Sequence, residues 1–112
     1  MRTTGQFGKN MLVHVVAPDE AKLRGGPSWQ LRIEGSGDRW DSQVGYFYYP
    51  DVSCAKLCKW VKGQLDWKFL PELVEQFWIG FLPQLQAFYK EYKKVQREPE
   101  EEEITAVGRS QT

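Results

Sequence analysis

The chain has one histidine, His14, and two cysteines, Cys54 and Cys58. Any Ser–His or Cys–His nucleophilic pair would have to depend on that one imidazole. His14 lies inside the apolar run Met11–Ala17, where it reads as a strand histidine satisfied by a neighbour or facing solvent. A closed metal site takes about four ligands, and the two cysteines with one distant histidine do not supply them. No metal or other cofactor is expected. Cys54 and Cys58 are four residues apart, a spacing that would strain a helical disulfide, so they read as reduced thiols facing a core.

Phosphate-binding loops are also missing. Gly35-Ser36-Gly37 has the character of a turn, not of a GxGxxG element opening a helix. Among the carboxylate pairs, Asp38/Asp41 carries no further signal, and Glu72/Glu75 falls where a helix N-terminus favours negative charge. These absences argue against an enzyme. The longest wholly apolar run, Phe77–Leu82, is far short of a membrane span. No apolar segment follows Arg2, so no secretory leader is expected. The expectation is an intracellular protein, cytoplasmic or nuclear, in a reducing compartment.

What the chain does have is aromatic mass and a separation of charge. Fourteen of its sixteen aromatic residues lie between Trp40 and Tyr92. The formal net charge is zero, yet residues 1–97 carry +4 and residues 98–112 carry −4. That division predicts one domain over 1–97 followed by an acidic flexible tail over 98–112.

The hydrophobic pattern predicts an α+β fold. Met11–Ala17 reads as a strand closed by Pro18. In Trp29–Glu34 the apolar residues Trp29, Leu31 and Ile33 alternate with polar ones, the period of a sheet with one wet face. After the turn cluster Gly35–Asp38, residues 40–49 read as the returning strand of a hairpin, with Trp40, Val44, Tyr46 and Tyr48 on one face. Residues 1–10 read as a flexible lead-in. A small antiparallel sheet of about three strands (11–17, 29–35 and 40–49) should therefore pack against two or three C-terminal helices from 52–97, with Trp29, Leu31, Ile33, Trp40 and Val44 beneath them. The heptapeptide Trp29–Gly35 resembles a strand in one family of chromatin-remodelling subunits, a likeness confined to those residues that implies nothing for the rest of the chain.

Pro50 stops the hairpin, and Asp51 or Ser53 can cap a following helix. Cys54, Leu57, Val61 and Leu65 recur at helical spacing, with Lys56, Lys59 and Lys62 on the wet side. The string Phe69-Leu70-Pro71-Glu72-Leu73 is echoed by Phe81-Leu82-Pro83-Gln84-Leu85. Proline suits a first helical turn, so two helices are expected, over 71–79 and 83–97, jointed at Gly80, the alternative being one long helix kinked at Pro83.

With no chemistry to account for them, the Trp and Tyr residues point to interfaces, where such side chains act as anchors. The expected function is a non-enzymatic protein-binding module: an accessory, adaptor or inhibitor protein. Small size without a motif is the profile of fast-evolving accessory proteins, viral ones among them. The candidate anchors are Tyr46, Tyr48, Tyr49, Trp67 and Trp78. The alternative is a single-stranded nucleic-acid binder with a self-competing acidic tail, in which Lys56, Lys59, Lys62, Lys90, Lys93, Lys94 and Arg97 meet phosphate and aromatics stack on bases. A body charge of +4 is modest for that task.

Overall fold

The computed structural model describes the backbone of residues 1–23, 26–35 and 41–111, with side chains for residues 1–21, 26–35 and 45–96. The architecture is α+β. Strands β1 (Arg2–Phe7), β2 (Met11–Val16), β5 (Trp29–Gly35) and β6 (Asp41–Phe47) form one antiparallel sheet in the order β1-β2-β5-β6. Between β2 and β5, β3 (Lys22–Leu23) and β4 (Gly26–Pro27) pair as a separate ribbon. Helices α1 (Cys54–Lys68) and α2 (Pro71–Gln111) follow.

The main sheet has four strands, not three, because the expected lead-in is strand β1. Its residues pair one for one with β2, from Arg2 opposite Val16 to Phe7 opposite Met11. Its core-facing positions include Gly5, where a Cβ would lie 2.6 Å from Phe81 Cδ1. The α2 aromatics fill the place of a β1 side chain, so a strand this polar still has a dry face.

The hairpin of β5 and β6 forms as its alternation predicts, with one irregularity. Leu31 pairs with Gly45 but Arg32 pairs with Gln43, so Val44 is an extra residue in β6. A bulge of this kind exchanges which side chains face which side of a sheet. Gly45 and Phe47 therefore share the helix-facing side with Leu31 and Trp29, while Tyr46 faces outward opposite Gln30. Tyr46 thus does not follow a simple alternation from residue 40; the side chains of Trp40 and Val44 lie outside the described residues.

Val13, Val15, Trp29, Leu31 and Ile33 are fully buried or nearly so beneath the helices. From α1 come Leu57, Cys58, Val61 and Leu65, and from α2 Val74, Trp78, Phe81, Leu85 and Tyr92. Trp29 is central: its ring lies 5.1 Å from Tyr92 and 6.0 Å from Tyr89, and its Nε1 donates to Pro50 O at 3.4 Å. Ser53, not Asp51, caps α1, its side chain accepting from Lys56 N and satisfying one free donor of the first turn.

α2 returns alongside α1. Lys62 bridges to Glu75 at 3.0 Å, and Tyr89 Oη donates to Val52 O at 2.8 Å. The helix is continuous from Pro71 to Gln111, where two helices jointed at Gly80 are expected. The physical reason lies in the exposure of the joint. Pro83 removes one helical bond, to the carbonyl of Ile79, and Ile79 is 77% exposed, so water can satisfy that carbonyl. The backbone of the acidic segment extends α2 beyond 97 to Gln111; its side chains lie outside the described residues.

Candidate functional site

Trp67, the penultimate residue of α1, is 87% exposed. It sits two residues past the fully buried Leu65, about 200° around the helix, so the core-facing stripe cannot include it. The chain then turns tightly, with Leu73 N and Val74 N both donating to Leu70 O, at 3.0 and 3.1 Å. This turn leaves Leu70 at 64% and Leu73 at 44% exposure. Trp67, Leu70 and Leu73 are therefore all exposed where α1 passes into α2, with the exposed Lys68 and Glu72 between them in sequence. The sequence signal that could have marked the two leucines is placement: Leu70 stands just before α2 begins at Pro71, and Leu73 lies about 100° around the helix from the buried Val74.

The other proposed anchors separate. Tyr48 and Tyr49 are exposed, at 53% and 71%. Tyr49 packs edge-on against Phe47 at 5.4 Å, and Phe47 lies 5.5 Å from Trp60 on α1. Tyr46 is half-buried on the outer sheet face, where its hydroxyl accepts from Gln30 Nε2 at 3.1 Å. Trp78 is a correction: it is not a surface anchor but a member of the core, 9% exposed and 6.3 Å from Phe81. The apolar arc of α2 is wide enough to bury Trp78 while Phe77 turns to Phe7, 5.1 Å away. Ile79 takes the outward position instead.

The described lysines differ in their surroundings. Lys62 is held by Asp66 at 3.1 Å and Glu75 at 3.0 Å, and the hydrogen bonds its ammonium donates to Glu75, then to Asp66, raise its pKa. Lys93 is half-buried with Nζ 5.6 Å from the Tyr89 ring centre, a cation–π contact. Lys56, Lys59, Lys90 and Lys94 are exposed. Lys56 lines a groove of about 580 Å³ with Phe47, Tyr49, Asp51, Val52 and Ser53. The side chain of Arg97 lies outside the described residues.

His14 is tied into a cross-strand ladder on the outer sheet face. Its Nδ1 lies 2.8 Å from Thr4 Oγ1 and its Nε2 lies 2.9 Å from Glu34 Oε2. This is the satisfied strand histidine its surroundings predict. Cys54 and Cys58 are free thiols, the first half-buried and the second buried. Burial, and then the neighbouring Cys54, pushes the Cys58 thiol up to about 12. Among the described residues no group of three or more His, Cys, Asp or Glu is placed to hold a metal, and no helix is long and apolar enough to cross a membrane. No family model matches this chain, and neither a curated protein nor a solved structure matches it.

Proposed function

We propose that this protein is a non-enzymatic protein-binding module, an accessory, adaptor or inhibitor, that docks its partner on the apolar surface joining α1 to α2. The observation carrying this reading is the 87% exposure of Trp67. Tryptophan is enriched among the few interface residues that dominate binding energy. Leu70 and Leu73 extend the apolar area, and Lys68 and Glu72 supply a polar rim, the usual anatomy of an interface.

The test compares the full-length protein with a Trp67→Ala/Leu70→Ser variant in pull-downs from the native source, followed by titration of the purified captured protein. The reading expects a partner that is retained by the parent and lost by the variant, with thermal melting unchanged. Equal affinity of both proteins for every captured partner would sink it. A second reading, single-stranded nucleic-acid binding, draws on the groove that sets the exposed Tyr49 beside Lys56. Tight, salt-sensitive binding to labelled single-stranded DNA or RNA, weakened by Lys56→Glu/Lys59→Glu, would favour it instead.

A further inference from the structure

We infer that this chain forms a symmetric dimer through the outward face of α2, the helices of the two copies running antiparallel and crossing at Gly80 and Pro83. The first observation is what that face lacks. From Leu73 to Tyr89 the helix carries one charged residue, Glu75, and Glu75 is turned to Lys62 of α1, 3.0 Å away. Gln76, Ile79, Gly80, Pro83, Gln86 and Ala87 are all exposed and lie within roughly 60° of Pro83 around the helix, opposite the buried Val74, Phe81 and Leu85. The side of an amphipathic helix that faces away from its core is normally charged. Here it is uncharged over roughly four turns, and Ile79 near its middle is 77% exposed.

The second observation is the order of charge at the two ends of the face, and it selects the occupant. Glu72 stands at one end, Lys90 and Lys94 at the other, all three exposed. A parallel second copy would set like charge on like. An antiparallel one sets unlike on unlike. With the two-fold axis between Gly80 and Pro83, Gly80 stands level with Pro83 of the second copy and Gln76 level with its Ala87. Glu72 then falls within one residue's rise of Lys90 of the second copy and within one turn of its Lys94. Glu72 and Lys90 are about five whole turns apart, so the two-fold places them on the same flank. Glu91, about 100° around from Glu72, is on the other flank. Each pair recurs across the axis, the closed and self-complementary arrangement of a two-fold dimer.

The crossing point suits a close approach. A Cβ built on Gly80 meets nothing within 4 Å among the described residues, so packing within one copy does not require glycine there, and glycine in a helix interior is less stable than alanine. The backbone of a second helix lying against position 80 gives the missing side chain a use. Trp67 and Leu70 stand before α2 begins, outside this face, so the dimer goes beyond the partner surface proposed above and does not depend on it.

The experiment is sedimentation velocity on the full chain across a concentration series. The parent is expected to pass from monomer to dimer as concentration rises. Gly80→Lys should stay monomeric, yet unfold in urea no earlier than the parent when both are dilute, because lysine is the better helix former and the space beside Gly80 is open. Glu72→Lys and Lys90→Glu should each weaken association by about tenfold, since both symmetric pairs become repulsive. A mixture of those two variants should associate as the parent does, which a folding defect in either would prevent. Trp67→Ala/Leu70→Ser should also dimerise as the parent does, keeping this result apart from that of the partner surface. A parent that stays monomeric, a Gly80→Lys variant that still dimerises, a mixture no tighter than its components, or loss of the dimer in Trp67→Ala/Leu70→Ser would each overturn the proposal.

Discussion

Phe81 and Gly5 meet more closely than any other side chain would permit at position 5: a Cβ there would lie 2.6 Å from Phe81 Cδ1 and 3.0 Å from Phe77 Cε1. The relationship joins the edge strand β1 to α2 and sets how near the helix approaches the sheet. Both rings are held in place, Phe81 in the core and Phe77 stacked on it at 4.7 Å, so neither can swing aside as the end of a flexible side chain would.

Gly5→Ala should therefore destabilise the protein by about 1–3 kcal/mol, the range for overpacking a close contact. The sign is informative. In a strand without this contact, alanine should be favoured over glycine by roughly 0.5–1 kcal/mol because it loses less backbone freedom on folding. Urea melts of the two proteins decide the matter, and a more stable alanine variant would mean that α2 does not press on β1.

The centre of the sheet carries the second expectation. Leu31 is fully buried and pairs with Val15 on one side and Gly45 on the other. Leu31→Ala should cost about 2–5 kcal/mol, and Trp78→Ala about 3–5 kcal/mol, as core truncations do. Trp67→Ala should lie within about 0.5 kcal/mol of the parent, as surface changes do. If the two tryptophan variants melted alike in denaturant, the assignment of one to the core and the other to the surface would be wrong.

The same elements show how much of this structure was legible in the sequence. The strand of Trp29, Leu31 and Ile33 could be read because its own residues carry the alternation. β1 could not, because the apolar mass opposite Gly5 belongs to Phe77 and Phe81, more than seventy residues away. The outward turn of Tyr46 was hidden by the extra residue at Val44, which a period-2 pattern does not reveal. Pro83 read as a helix start because local propensity opposes a proline in mid-helix, while the packing of Phe81 and Leu85 on either side of it carries α2 through. For the candidate site, Trp67 reads as a residue just past the end of the first helix; it lies within α1, and its exposure comes from standing about 200° around from the buried Leu65. Trp78 was ambiguous, since only the tertiary fold fixes how wide an apolar arc α2 buries.

The two thiols should differ sharply toward alkylation. Cys58 is buried, and burial followed by the adjacent Cys54 pushes its pKa up to about 12. The reactive species is the thiolate, so at pH 8 almost none of Cys58 is competent, whereas the half-buried Cys54 is open to reagent. Iodoacetamide on the native protein should label one equivalent, mapped to Cys54 by peptide mass, with the second appearing only in denaturant. Equal and rapid labelling of both would mean that α1 does not hold Cys58 in the core.

Removal of residues 98–112 separates the two functional readings. The acidic block follows Lys90, Lys93, Lys94 and Arg97 directly in sequence. If these bases served nucleic acid, the glutamates would compete with phosphate. Truncation would then strengthen binding to single-stranded DNA or RNA and steepen its salt dependence, because more counterions would be released per complex. Two of the implicated lysines are already engaged, Lys62 by Asp66 and Glu75 and Lys93 by the Tyr89 ring. The protein-binding reading therefore expects both full-length and truncated proteins to bind nucleic acid weakly and alike in anisotropy titrations at low salt. It also expects the effect of Trp67→Ala on partner binding to be the same in both, since that surface lies at the other end of α2. Tight, steeply salt-dependent nucleic-acid binding by the truncated protein would replace that reading with the nucleic-acid one.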